Sequence, residues 1–530
     1  MAFRINISYR FQEIAITFLT IAGFAGTYWS FYPGLMTSDS VDQFEQAQRF
    51  AFSDWHPPIM ALIWHYLDRL SAGTVGLFAL ILGLYWSGFW LLAVRFARSR
   101  PSLGYLTLLA AFSPMLVTIP AMLWKDSLVF SCFLSASGLL AASASRTGIR
   151  RAVLITPALL LLLTGALARH NAMLAAAPLL LLAVRRAPLQ TSGAQASHAQ
   201  ASHAKASYAK ASGARVAGAE ILRLGVIILA TVAATSLASW LLNRHVLDAR
   251  QTGVANSLMA FDIVGLAART GSNGLPGSWS GDEQHRIIND CYEPWAWDSL
   301  SWGRRAFVRE RLVASGHWQH GLRDPWLTAI ASHPRAYISH RLAYARMLLR
   351  PLPASFPQPE PISVTYGFTA NGGYRAIAQT VSAFSGAPII ADLWRPGLWV
   401  AFAMATCVVA GLRGRRHLKS CQAKSCLAKS FQAKSCQAMS CQAMSCQATS
   451  CQTMSRQAGY FALSGLLYAL PLVVVGVASE FRYVYWTIGA VFIATLILAS
   501  DWLAERVSRP AGALPGLPDP PLVLAEPLRA

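Results

Sequence analysis

Apolar runs about as long as a bilayer is thick, separated by short loops carrying arginine, constrain this chain more than any other feature. A helix needs about 20 mostly apolar residues to cross the hydrocarbon core. Such runs lie near 13–32, 74–94, 103–122, 127–144, 152–168, 171–184, 221–241, 397–412, 460–478 and 484–499. The sixth run is the shortest for its task, and it is counted because Arg150-Arg151 and Arg185-Arg186 bracket 152–184 as they would a hairpin. Composition agrees: 54% of the 530 residues are hydrophobic and 13% are charged, where a soluble chain carries roughly 25% charged. A soluble enzyme, a collagen, a small disulfide scaffold and a disordered chain are all excluded. The expected fold is an all-α polytopic membrane protein of about ten spans, both termini cytoplasmic, with the first span a retained anchor.

The formal net charge of +21 raises the question of nucleic acid. With the N-terminus inside, the short outer loops hold only Arg49, Arg69, Lys125, Arg169 and Arg482, and the other basic residues fall in cytoplasmic loops or one long outer segment. That is the positive-inside pattern, with some attraction to anionic lipid. No nucleic-acid partner is expected.

Two stretches repeat every five residues: ASHAQ, ASHAK, ASYAK, ASGAR from Ala196 to Arg215, and eight KSCQA-like units from Lys419 to Ala458. A five-residue period fits neither helix nor strand, and solenoid units are longer. Both arrays read as low-complexity cytoplasmic linkers. Six of the nine cysteines (Cys421, Cys426, Cys436, Cys441, Cys446, Cys451) lie in the second array at spacings unlike those of zinc ligands. Cys291 is alone on the outer side, so no outer intrachain disulfide is expected. The chain thus divides into a membrane bundle at 1–241, with a first outer loop at 33–73 and a repeat linker at 187–220. A large extracytoplasmic segment follows at 242–396, then membrane spans at 397–500 around the insert 413–459, and a cytoplasmic tail at 501–530. The large segment, mixed in character near 243–396, contains Trp279, Trp295, Trp297, Trp302, Trp318 and Trp326. These read either as headgroup anchors or as platforms for sugar rings. Within it, Ile338, Leu342, Ala345 and Leu349 share one side of a helix with Arg341 and Arg346 elsewhere, as for a helix lying at the membrane interface.

Ionisable residues near hydrocarbon are costly and mark function. The topology gathers four groups of them on the outer face. The first loop offers Asp39, Asp42, Glu45, Asp54 and His56; the next, Lys125 and Asp126; the third, Arg169, His170 and Asn171; the last, Glu480, Arg482 and Tyr483. Each alone reads equally well as an interfacial anchor, a structural ion pair or, for Asp39, a helix cap. Together, carboxylates and cations at one membrane surface suit chemistry on a phosphate-linked lipid.

Asp39 in the first outer loop, followed by the Asp-Trp-His-Pro-Pro turn at 54–58 and an amphipathic helix, resembles the GT-C superfamily of integral membrane glycosyltransferases, which includes protein mannosyltransferases and aminoarabinose transferases. The Trp124-Lys125-Asp126 loop resembles their second acidic loop. Ser38-Asp39-Ser40 departs from the Asp-Glu pair of the mannosyltransferases. The resemblance implies a polyprenyl-phosphate-linked sugar as donor, a glycan, lipid or protein acceptor, and inversion at the anomeric carbon. It implies Asp39 as the catalytic base, with Lys125, Arg169 and Arg482 on the donor phosphate. Asp54, His56, Asp126, His170, Glu480 and Tyr483 would support them. Asp126 is expected either to pair with Lys125 or to join Asp39 around a divalent cation, Mg or Mn. Small-residue-rich spans and compact loops suit a bacterial inner membrane, with the site facing the periplasm. A transporter or lipid flippase, an O-antigen polymerase or ligase, and a non-catalytic scaffold are the alternatives.

Overall fold

The structure is a computed structural model that describes residues 2–183, 205–349, 361–431 and 438–507. Among these the backbone is helical, with no strands and three isolated bridges. Eight helices are long and apolar enough to cross a membrane: Arg10–Phe31, Val75–Ala97, Lys125–Ser143, Gly148–Ala168, Leu222–Val246, Pro396–Arg416, Met454–Val475 and Phe481–Glu505. The protein is an all-α polytopic membrane protein.

Two of the ten expected spans come out differently. The run at 103–122 is a broken pair, Pro101–Ala111 and Pro114–Ala121, bent by 52°. Pro114 cannot continue the preceding helix, and the freed carbonyl of Ala111 accepts the Tyr85 hydroxyl at 2.6 Å, as a backbone inside an apolar bundle requires. The run at 171–184 is the helix His170–Ala183, with Pro178 inside it. At about 1.5 Å per residue its 14 residues fall short of a core about 30 Å thick.

The bundle is held by close approach and paired polar groups. Val75–Ala97 packs along Lys125–Ser143, which packs along Gly148–Ala168. At the first contact Gly88 and Gly138 let the helices meet: a Cβ on Gly88 would lie 2.8 Å from the Ser135 nitrogen, and one on Gly138 2.7 Å from Leu91. Small residues are the usual means of bringing membrane helices together. Ser87 and Ser135 share a 2.9 Å hydrogen bond there. Trp86 and Trp90 donate to Thr27 and Thr17 of the first helix at 2.9 and 3.0 Å.

Helices continue into the repeats: Lys205–Leu241 contains the end of the first array, and Pro396–Phe431 and Ala438–Val475 contain most of the second. The period excludes an amphipathic face but not a helix, because Ala, Lys, Gln and Met are good helix formers. The side chains of the six array cysteines, and the tail at 508–530, lie outside the described residues.

Residues 255–349 build a second hydrophobic core of their own. Trp297 and Trp318 are buried in it, and Trp279 and Trp326 pack against it. Three of these indoles donate internally, Trp279 to Pro276, Trp318 to Thr252 and Trp326 to Asp262. Most of the tryptophans are therefore neither anchors nor platforms but core, and only Trp295 and Trp302 are exposed. The helix Pro334–Leu349 buries His340, Tyr344 and Leu348, with Arg341 against Asp262, while Ile338 and Leu342 face away. The stripe alone could not place Arg341 inside, since its partner lies some eighty residues earlier. Cys132, Cys291 and Cys407 are free thiols.

Candidate functional site

Backbone contacts between distant loops create the site. After the first helix, Leu35 pairs with Met122 as a parallel bridge: Leu35 N donates to Ala121 O at 2.8 Å and Leu123 N to Leu35 O at 3.0 Å. Gly34 turns the chain there at φ +100°, and a Cβ on it would press on Leu123 at 3.0 Å. Helix Ser38–Arg49 starts at Thr37, whose hydroxyl accepts the Trp124 indole at 2.8 Å, and the Ser40 hydroxyl donates to Leu123 O at 2.9 Å. The N-termini of Ser38–Arg49 and Lys125–Ser143 are thus locked side by side. Asp39 and Asp126 each occupy a first turn, where the helix dipole favours a negative charge.

The last loop is fixed from the other side. Arg341 donates to Gly476 O, the Tyr344 hydroxyl to Ala478 O, and Trp297 N to Val477 O, all at 2.8 Å. This delivers Arg482 to Asp39: its Nη1 lies 2.9 Å from Asp39 Oδ2 and its Nη2 3.0 Å from Glu480 Oε1, with the guanidinium 4.6 Å from the Trp124 ring. His56 Nε2 faces Asp39 Oδ1 at 3.6 Å, and His56 Nδ1 contacts Lys125 Nζ at 2.5 Å. A Lys125 ammonium donating to Nδ1 puts the ring's own proton on Nε2, towards Asp39. Lys125 also feels the charges of Arg169, Asp39, Arg482 and Glu480.

Burial alone would raise the Asp39 carboxyl, but the His56 hydrogen bond and the charges of Arg482, His56 and Lys125 outweigh it. They hold the group well below the usual carboxylate range. His56 is pushed down to about 4, first by burial and then by Lys125, against the pull of Asp39. At neutral pH the centre is a carboxylate beside a neutral imidazole, the Arg482 guanidinium and the Lys125 amine, and the Asp39 side chain is still 31% exposed.

Arg169 behaves differently from its expected role. Its guanidinium pairs directly with Asp126, donates to Asn171 Oδ1 at 3.1 Å and lies 4.6 Å from the Tyr483 ring. Asn171 in turn donates to Tyr468 O at 2.8 Å. Asp126 pairs with Arg169 rather than Lys125, and its Oδ2 is buried without a hydrogen bond. This pair braces the wall behind Lys125. A divalent cation on Asp39 and Asp126 would sit among Arg482, Arg169 and Lys125. Among the described residues no group of three His, Cys, Asp or Glu converges as a ligand set, so the donor chemistry fits a cation poorly.

Asp54 accepts the backbone N–H and the hydroxyl of Thr252, both at 2.7 Å, and so ties the first loop to the chain after Leu222–Val246. With His170 it also lines a cavity of about 480 Å³ that continues past Met173, Leu174, Trp240 and Arg244. These two residues face that cavity; no contact joins them directly to Asp39. Two further residues take part in ways the sequence does not signal. Trp124 carries Arg482. Asp298 is brought to the rim by the Ala296–Ala478 bridge and, though exposed, is pushed up to about 6 by partial loss of water and by Glu480 and Asp39. Neither role has a sequence signal, because both depend on pairings across more than 80 residues.

No protein-family profile, curated protein or solved structure matches this chain.

Proposed function

We propose that the protein is an integral membrane glycosyltransferase of GT-C type, moving a hexosyl or pentosyl unit from a polyprenyl-phosphate donor to an extracytoplasmic acceptor with inversion. One observation carries this reading: an ionised, partly open Asp39 set between Arg482, His56 and Lys125 at one end of an apolar bundle. The resemblance around residues 33–58 and 124–126 supports it. The finer topology belongs to the same proposal: ten spans, both termini cytoplasmic, the site on the periplasmic face of a bacterial inner membrane.

In this mechanism an acceptor hydroxyl or amine hydrogen-bonds to Asp39. Its lone pair forms the bond to the anomeric carbon as the bond from that carbon to the phosphate oxygen breaks, and the electron pair leaves on the phosphate. The acceptor proton passes to Asp39. A carboxylate held this low is a weak base, so it orients the nucleophile and takes the proton late, once bond formation has made that proton acidic. Lys125 and Arg482 face the growing phosphate charge. Arg482 is already engaged by Glu480, so the phosphate competes with that carboxylate for a fork suited to either. Arg169, neutralised by Asp126, positions Tyr483 and Lys125 rather than gripping phosphate. No step needs a metal ion.

The broken pair Pro101–Ala111 and Pro114–Ala121 favours a second reading, a transporter or lipid flippase, because interrupted helices are a common transporter device. Transfer of labelled sugar from polyprenyl phosphate in membranes, wild type against Asp39→Asn at matched protein level, separates the two. Transfer lost in the variant is expected. Transfer retained would remove Asp39 from the chemistry, and none by wild type with any polyprenyl donor would favour transport.

A further inference from the structure

Of the two exposed indoles of the tryptophan-rich segment, Trp302 stands furthest out of the core. Trp302 is 68% exposed, against 4% for Trp297 and 5% for Trp318. Beside it lies a cavity of about 460 Å³ lined by Ser301, Trp302, Gly303, Ala306, Arg309 and Glu310. Small-molecule sites run from roughly 300 to 1,000 Å³. Two polar groups of the lining are unsatisfied: Ser301, only 7% exposed, makes no hydrogen bond through its hydroxyl, and Arg309 Nε makes none either. Burying such groups without a partner is costly. Arg309 is held in place nonetheless, its guanidinium 5.7 Å from the Trp55 ring and 5.6 Å from that of Trp318.

The cavity therefore offers an open aromatic face, a hydroxyl, a fixed guanidinium and an exposed carboxylate. A pyranose ring is complementary to this set, with a face of C–H groups and a rim of hydroxyls that both donate and accept. A lipid chain would leave the polar groups unpaired. The cavity is linked to the centre described above through Arg309, whose guanidinium lies over the ring of Trp55. Trp55, under Arg309, immediately precedes His56.

We infer that this cavity binds a pyranose unit of the acceptor, stacked on Trp302 and hydrogen-bonded by Ser301, Arg309 and Glu310, which makes the acceptor a glycan. The inference rests on the transferase reading for the word acceptor, but binding is measurable without any donor. Purified full-length protein in detergent is probed by saturation-transfer NMR with mannobiose and with N,N′-diacetylchitobiose. The expected result is transfer to the ring protons of at least one disaccharide in the wild type. Trp302→Ala abolishes it, Trp302→Phe restores it, and Glu310→Gln weakens binding roughly three- to tenfold. No transfer to either disaccharide in wild type, or undiminished transfer in Trp302→Ala, overturns the inference. So does quenching of the Trp302 contribution by brominated lipid in nanodiscs, which would make the indole a headgroup anchor. Binding at Trp302 without sugar transfer from any donor would leave the sugar site standing and remove the transferase reading.

Discussion

Two clusters in this chain use the same side-chain types and differ in their surroundings. Around Asp39 a carboxylate meets His56 and Arg482 at the end of the bundle, and the acid keeps part of its surface open. Around Asp262 a carboxylate meets His340 at 2.9 Å and Arg341 at 2.6 Å, with Trp326 donating at 2.7 Å and Tyr292 closing the ring on His340 at 3.0 Å. Asp262 and His340 are wholly buried, and both oxygens of Asp262 are engaged. A nucleophile has no way to reach the second cluster. It resembles an active site by residue type but works as a joint, and through Arg341 and Gly476 it holds the loop that carries Arg482. Access and the ability to exchange partners separate the two, not composition.

The comparison is broken most directly at the two acids. Asp39→Asn should cut transfer by roughly 10²–10⁴-fold, the range for losing a group that handles a proton, in a protein that still folds, with a lowered thermal midpoint because Arg482 loses its carboxylate partner. Asp262→Ala should do the reverse. Removing one partner of a buried ion pair costs about 3–5 kcal/mol, read as a collapse of folded protein in detergent. Trp318→Ala should cost a similar ~3–5 kcal/mol for a large buried side chain. If Asp262→Ala folds normally and loses only transfer, the joint reading fails.

A smaller effect sharpens the contrast through pH. His56 falls from 6.5 to about 4 on folding, so between those values the unfolded chain binds a proton that the folded one refuses. Its contribution to stability is full above about 6.5 and is lost as pH falls towards 4, by up to about 3 kcal/mol at 1.36 kcal/mol per pKa unit. Asp298 has the opposite sign: raised from 3.8 to about 6, it stabilises below 3.8 and loses that contribution as pH rises through 6. The two overlap in wild type. His170 and His340 are also pushed down by burial, so the thermal midpoint of His56→Gln followed from pH 4 to 7 should show a shallower first slope and keep the second, and Asp298→Asn should do the converse. Parallel curves for wild type and His56→Gln would mean that His56 titrates as it does in the unfolded chain.

The spans were legible because each is a continuous local signal, readable without knowing its neighbours. The break at Ser113 was less so, since Pro114 sits in a run otherwise apolar enough to span. The gathering of Asp39, Lys125, Arg169 and Arg482 at one end followed from topology. Which cation serves which acid did not. Arg169 is spent on Asp126 because the turn before Asn171 aims it there, and Lys125 turns to His56 because the Leu35–Met122 bridge brings their loops together. Pairings of this kind depend on register between distant segments, which periodicity does not carry. The tryptophans escape the sequence for a related reason: a Trp-rich polar segment reads as surface until its helices are seen to close a core.

That last point yields the smallest expected effect and the most discriminating one. Trp302 and Trp318 belong to one segment and were indistinguishable in sequence. Trp302 touches little of the core, so Trp302→Ala should move stability by no more than about 0.5 kcal/mol, as for surface substitutions generally, while Trp318→Ala unfolds the segment. A thermal midpoint for Trp302→Ala equal to wild type, measured beside its sugar binding, would show that the exposed indole is kept for what it contacts outside the protein. A marked loss of stability would instead put Trp302 in the fold, and the division between buried and presented tryptophans would no longer hold.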